Sequence, residues 1–308
     1  MAVLEELRSI RKRGSRGVAN KSDKGWYWWM SPWMLGFLLI TAIPMVWSLY
    51  LSFTRFPLLQ SPTWTGVDNY VNLWNNSRAW QSMRVTLTYV VTAVPLQLIV
   101  ALLIAYVLDK GMRGLAFYRS ALYLPSMMGG SVAVAILWRQ VFGTEGLLNS
   151  FLALFGIEGM GWISHPDTAL WTIVLLHVWT FGSPMIIFLA GLRQIPKMYY
   201  EAAAVDGATQ WRRFRSITLP LLTPIILFNL VLQTIGAFQS FTQAFIVSGG
   251  SGGPADSTLF WGLLLYERGF QRFQMGEAAA MAWVMLVIIA LASALIFATS
   301  KLWVHYED

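Results

Sequence analysis

Six apolar stretches divide the chain: Trp33–Phe53, Val85–Leu108, Ala121–Phe142, Ala169–Leu192, Leu221–Val247 and Ala278–Trp303. Each is near the ~20 residues that a helix needs to cross ~30 Å of hydrocarbon. The pattern predicts six transmembrane helices. Pro44 and Pro184 mark kinks inside the first and fourth, and Leu124-Pro125 opens the third. Trp26, Trp28, Trp29 and Trp33 form an aromatic belt where the first helix meets the bilayer. Between the stretches, residues 57–80 and Gly146-Leu-Leu-Asn149 predict short interfacial helices, and residues 248–258 a flexible Gly- and Ser-rich turn.

The longest polar segment, 196–220, lies between the fourth and fifth apolar stretches. Pro196 suits the first turn of a helix. Gly207 suits the left-handed residue that ends one, and Thr209 is an N-cap for a second helix reaching Leu219. Ala202, Ala203 and Ala204 leave a bare face where another protein surface can approach closely. On these grounds alone, the segment is either a docking element or an ordinary amphipathic connector.

Composition agrees with the spans. Hydrophobic residues make up 56% of the 308, charged residues only 12%, and there are 16 tryptophans. A soluble surface needs more charge than this, whereas lipid does not. The absence of cysteine removes disulfides and thiolate ligands.

The net charge of +7 reads as membrane topology rather than nucleic-acid binding. With the N-terminus inside, the cytoplasmic side holds seven Lys and Arg in the tail, and Lys110, Arg113 and Arg119. It also holds Arg193, Lys197, Arg212, Arg213 and Arg215, and Lys301. The outside holds Arg55, Arg78, Arg84, Arg139, Arg268 and Arg272. Cationic loops stay cytoplasmic, so both termini and the 196–220 loop are expected there. Residues 1–28 read as a retained basic tail and 29–308 as one membrane domain.

No catalytic or metal-binding pattern emerges. The glycine-rich stretch 249–253 lacks the lysine and the Ser/Thr of a P-loop. His165, His177 and His305 are far apart, with no ligand spacing, so no metal is expected. Polarity inside the spans stands out instead. Asn229, Gln233, Gly236, Ala237, Ser240 and Gln243 recur at helical spacing, with Gln239 beside them. In the fourth span His177, Thr180, Phe181 and Pro184 share a face, next to Trp179. Such groups are either hydrogen-bond glue between helices or the lining of a solute path. Amides and hydroxyls beside aromatic rings suit a neutral polyhydroxylated solute.

The loop carries a specific pattern: Glu201-Ala202-Ala203, three residues, Gly207, nine residues, then Ile217-Thr-Leu219-Pro220. It resembles the signature of permease subunits of binding-protein-dependent ABC importers. Asp206-Gly207-Ala208 and Leu192-x-x-Ile195-Pro196 are similar to the carbohydrate, maltose-permease-like branch. Gly66-x-x-Asn69-Tyr70, Trp138 and Gly253-Pro254 also match, so the resemblance covers nearly the whole six-helix region.

The resemblance implies an all-α membrane protein of six transmembrane helices, the type I importer fold, in a bacterial cytoplasmic membrane. It implies a second homologous permease, two ATPase subunits that carry ATP and Mg, and an extracytoplasmic solute-binding protein. No cofactor sits in this chain. Glu201, Ala202, Ala203, Asp206 and Gly207 would form the helix that couples to the ATPase. A sugar or oligosaccharide would touch His177, Thr180, Phe181, Pro184, Gln233, Ala237 and Ser240, with Trp179, Asn229, Gln239 and Gln243 as further pore-lining candidates. The maltose type has Asn, Gly and Tyr in the fourth span where this chain has His, Phe and Pro, which leaves the identity of the sugar open.

Another polar solute, such as a glycerol phosphodiester or an acidic oligosaccharide, is the alternative, favoured by Arg139, Arg268 and Arg272. A stand-alone secondary transporter predicts inverted repeats and intramembrane charges, neither of which is evident. An intramembrane enzyme lacks a catalytic constellation.

Overall fold

The computed structural model describes residues 25–111 and 114–305. The basic tail lies outside the described residues as far as residue 24, as do Arg113 and residues 306–308. The chain divides into two units, Met1–Tyr50 and Leu51–Asp308. In the first, α1 (Gly25–Gly36) continues through a π-helical stretch, Phe37–Ala42, into α2 (Ile43–Ser52), whose last residues, Leu51 and Ser52, already belong to the second. Pro32 lies within α1.

The second unit opens with a two-residue hairpin, β1 (Thr54–Arg55) antiparallel to β2 (Thr63–Trp64). The short helix α3 (Asp68–Trp74) follows, as residues 57–80 predicted. Its Asn69 amide donates to the carbonyls of Ser52 and Thr54 at 2.8 and 2.9 Å, which fixes the turn.

The long helix α4 (Ser77–Asp109) is the axis of this unit. Asn76 caps it by accepting from the amides of Arg78 and Ala79. Ala93, Ala101 and Ala105 on α4 are fully buried, and such small side chains let neighbouring backbones approach closely. The helices packed along α4 are α8 (Pro166–Trp179), α9 (Gly182–Leu192) and α12 (Thr223–Phe238).

Among the described residues, three helices are long and apolar enough to cross a membrane: Trp28–Ser52, Ser77–Asp109 and Met275–Trp303. Six spans result when three bent helix pairs each count as one. The pairs correspond to the third, fourth and fifth apolar stretches, which the hydropathy pattern reads as continuous. The third breaks between α5 (Leu115–Met127) and α6 (Val132–Val141), with a bend of 94°. Gly129 and Gly130 lie in the break, where Ser131 caps α6 by accepting from the Val134 amide. The fourth breaks between α8 and α9 at Thr180–Phe181, with a bend of 43°.

The fifth differs most from expectation. Its main helix, α12, ends at Phe238, and α13 (Thr242–Val247) starts anew after Gln239–Phe241. Ser240 and Gln243 therefore do not lie on one continuous helical face with Asn229 and Gln233. A 64° bend also separates α12 from the helix that precedes it.

The 196–220 loop follows the predicted plan. α10 (Lys197–Val205) ends at Gly207, whose φ is 71°. Pro196 sits just before the first turn rather than in it, in extended conformation. Thr209 caps α11 (Gln210–Arg213) by accepting from the Arg212 amide at 3.3 Å. A π-helical turn, Phe214–Thr218, and a short helical turn, Leu219–Leu221, lead into α12.

One element has no counterpart in the hydropathy pattern. Before the last span, α15 (Met275–Trp303), the chain forms α14 (Trp261–Tyr266) and a π-helical turn, Glu267–Gln271. Leu259, Phe260, Trp261, Leu263 and Leu264 are all buried there. Trp261 anchors the element twice: its amide donates to Thr86 Oγ1 and its indole N–H to the Met281 carbonyl, both at 2.9 Å. The remaining connecting helix, α7 (Leu147–Ala153), was expected at Gly146-Leu-Leu-Asn149.

Candidate functional site

The breaks in the third, fourth and fifth spans meet around one cavity of about 540 Å³. Its walls include Ser126, His177, Thr180, Ser183, Gln233, Gln239, Ser240 and Gln243. Hydroxyls, amides and one imidazole thus converge inside an otherwise apolar region. Polar groups are costly in hydrocarbon, so a cluster of this kind belongs to a bundle interior or an aqueous space.

Local structure explains how each group is held. Thr180 follows the last turn of α8, and its hydroxyl donates to the His177 carbonyl at 2.6 Å. The same hydroxyl accepts from Gln97 Nε2 of α4 at 2.8 Å. His177 packs edge-on against the Tyr89 ring, 5.4 Å between centroids, and its buried Nε2 has no hydrogen-bond partner among the described residues. Ser240 lies in the break after α12 and approaches Gln243 Oε1 at 3.4 Å. Gly182 fits α9 against α5, since a Cβ there would overlap the Ser126 hydroxyl. Gly129 likewise faces Thr180, with only 2.6 Å between a built Cβ and Thr180 Cγ2.

Of the residues named from sequence, His177, Thr180, Gln233, Ser240, Gln239 and Gln243 are brought together on this cavity. Phe181, Pro184 and Ala237 are buried in the core behind it. Asn229 is fully buried away from it, with its amide donating to the Ile225 carbonyl at 3.0 Å. Trp179 is exposed and meets the Trp138 ring at a tilt and the Phe181 ring edge-on, 6.5 and 6.4 Å between centroids. Ser126, Ser183 and Gln97 were not named from sequence. Ser126 sits one residue after Pro125, and a proline beside a hydroxyl inside a span was the available signal.

The 196–220 loop forms a second candidate surface. Glu201, Ala202, Val205, Asp206 and Gly207 are exposed on α10, while Ala203 is half-buried. The Tyr200 hydroxyl and Thr218 Oγ1 are 2.9 Å apart, which ties α10 to the turn leading into α12. Partial burial raises the Tyr200 phenol above its ordinary pKa, so it stays protonated. Tyr106, near the end of α4, meets the Phe214 ring edge-on at 4.9 Å. Asp109 and Arg193 form a looser ion pair across the same end at 3.7 Å.

Comparison with known proteins identifies the class. Residues 27–304 match the family described as binding-protein-dependent transport system inner membrane component. The chain belongs to this family. It is therefore a multi-pass membrane permease component rather than an enzyme.

The chain is 52% identical to the probable ABC transporter permease protein YesP of Bacillus subtilis, covering 99% of this chain and 97% of that protein. It is 35% identical to the lactose transport system permease protein LacF of Rhizobium radiobacter, over 77% and 81% of the two. With the arabinooligosaccharides transport system permease protein AraP of B. subtilis it shares 31%, over 92% and 91%. Among solved structures, the fold matches a chain of a bacterial alginate ABC transporter in complex with an alginate pentasaccharide-bound periplasmic protein. The TM-score is 0.78 at 21% identity, over 91% and 95% of the chains.

Proposed function

We propose that this chain is the membrane-spanning permease subunit of a bacterial ATP-driven importer for a sugar or oligosaccharide. The observation that carries the reading is the open cavity of about 540 Å³ where three broken spans meet, lined by amides and hydroxyls. Its size falls within the ~300–1,000 Å³ range of small-molecule sites. Groups that both donate and accept match sugar hydroxyls, which do the same. LacF and AraP, named for lactose and arabinooligosaccharide transport, support a carbohydrate solute.

Within this reading the protein lies in the cytoplasmic membrane with both termini and α10 inside. A binding protein delivers the solute from outside, and a second permease completes the pore. Two separate ATPase subunits bind ATP and Mg, and α10 seats on one of them through Glu201, Ala202, Ala203, Asp206 and Gly207. The Tyr200–Thr218 contact lets α10 and the start of α12 move together. Closure of the ATPase pair then shifts α12 and opens the Gln233 face of the cavity to the other side of the membrane. The broken backbones at Thr180 and Gln239 supply the hinges such a movement needs.

Solute uptake by the reconstituted complex tests the path. Gln233→Ala and Ser240→Ala each remove a lining group, and both should raise the KM for uptake several-fold. Unchanged uptake kinetics in both variants would remove the cavity from the path.

A further inference from the structure

A second polar cavity, of about 310 Å³, lies between two connections predicted to face outside, 143–168 and 248–258. Arg139, Thr144, Ser164, Ser248, Ser251 and Gly253 contribute to its lining, and no carboxylate does. It is joined to the larger cavity by two packed helices. α6 starts just after Gly130, on the larger cavity, and carries Arg139 in its last turn. α13 starts at Thr242 and Gln243, also on the larger cavity, and ends at Val247 and Ser248 on the smaller one. The α13 segment advances only ~9 Å at helical rise. The small cavity is thus the outer neighbour of the proposed solute path.

Ion pairs separate Arg139 from Arg78, Arg268 and Arg272. Arg78 binds Asp256 and Glu267 at 2.8 and 2.6 Å. Arg272 binds Glu267 at 2.5 Å, and Arg268 binds Glu277 at 3.4 Å. Arg268 and Arg272 are consequently neutralised by the protein itself, which weakens their candidacy for an acidic solute. Arg139 makes no ion pair among the described residues. Its place at the C-terminus of α6 favours the cation without occupying its donors. A guanidinium fork beside serine and threonine hydroxyls, in a concave site without a competing acid, matches a carboxylate carried on a polyhydroxylated ring.

We propose that the Arg139 cavity is a carboxylate-binding site at the outer mouth of the permease, which selects an oligosaccharide bearing a uronate. The proposal rests on the solute-path reading and narrows its substrate class. A concave site of this volume, at the far ends of helices that start on the path, favours a solute carboxylate over an acidic side chain of the binding protein.

Saturation-transfer NMR on the assembled transporter in nanodiscs, with glucuronate and glucose as probes, tests it. Wild type should hold glucuronate roughly fivefold more tightly than glucose, as a partly exposed charge-assisted pair allows. Arg139→Gln should abolish the preference, and Arg139→Lys should retain part of it. Equal binding of the two probes by wild type, or an undiminished preference in Arg139→Gln, overturns the proposal. So does an Arg139→Gln variant that loses only association with the binding protein. Failure of the path reading shows separately, as normal uptake by Gln233→Ala and Ser240→Ala.

Discussion

Gln97 holds Thr180 at the break in the fourth span. Its single amide nitrogen donates to the Thr180 hydroxyl at 2.8 Å and to the Thr180 carbonyl at 3.1 Å. Gln97 sits on the continuous helix α4, whereas Thr180 lies where α8 gives way to α9. A carbonyl freed by the break thus receives a donor from a rigid neighbour, as backbone at membrane depth requires. The same contact positions a wall of the large cavity.

Gln97→Leu should therefore harm function more than assembly. It leaves the Thr180 carbonyl without this donor, a loss of about 1–2 kcal/mol. The expected result is near-normal membrane insertion, a thermal midpoint lowered by a few degrees, and uptake reduced about tenfold. Fluorescence-detected size-exclusion melting and vesicle uptake measure the two effects. Wild-type uptake in this variant would show that Thr180 needs no such support.

Gly182 makes a sharper structural prediction. A Cβ there would overlap the Ser126 hydroxyl and come within 3.1 Å of Ser126 Cβ. Gly182→Ala should destabilise the fold by about 1–3 kcal/mol through overpacking. Adding Ser126→Ala removes the hydroxyl but not the Cβ contact, so rescue should be partial. Melting of the two single variants and the double variant forms the cycle. Additive losses would contradict the contact.

Arg78 joins three separate segments. It pairs with Asp256 in the 248–258 turn and with Glu267 after α14. Ala255 and Asp256 both have positive φ, 51° and 57°, a strained backbone for residues other than glycine. Arg78→Ala should release that turn and leave Asp256 unpaired. Because the pair is partly exposed, the cost is about 1 kcal/mol and should shrink at high salt. Proteolysis within 248–258 should accelerate in Arg78→Ala at low salt. Equal protection of both proteins would count against a clamping role.

In the 196–220 loop, Gly207→Val forces a β-branched side chain onto a φ of 71°. The local penalty is at least about 1–2 kcal/mol, concentrated in an exposed turn. Membrane insertion should survive, while uptake separates from ATP hydrolysis. Glu201→Lys should behave alike by reversing the charge on α10. Solute-stimulated ATPase activity measured beside uptake distinguishes uncoupling from misfolding. Full uptake in both variants would detach α10 from coupling.

The sequence made some of these features legible and concealed others for physical reasons. Hydropathy reports how much apolar chain is available, so the last span was read nearly to its ends, and the second was read to its C-terminus but starts at Ser77 rather than Val85. It does not report continuity. Pro125, the Gly129-Gly130 pair and Gln239-Ser240 sit inside apolar runs, and breaks are tolerated there because neighbours such as Gln97 satisfy the freed groups. Turn chemistry was more readable. Gly207 and Thr209 occupy the left-handed and capping positions expected of them, since few other residues serve there.

The candidate site was legible by residue type but not by grouping. Gln233 and Ser240 appeared as one helical stripe with Asn229, yet the break after Phe238 separates Ser240 from that helix, and Asn229 bonds to its own backbone. Ser126 and Ser183 join the site only through the 94° and 43° bends of their spans. The buried α14 escaped notice because its short apolar run, Leu259–Leu265, is too brief to register as a span.

Reconstituted uptake with and without ATP tests the central claim most directly. The permease pair is incorporated into vesicles with its ATPases and solute-loaded binding protein, and accumulated solute is followed over time. The account predicts uptake only when ATP and the ATPases are both present. Accumulation that persists when either is omitted would contradict it.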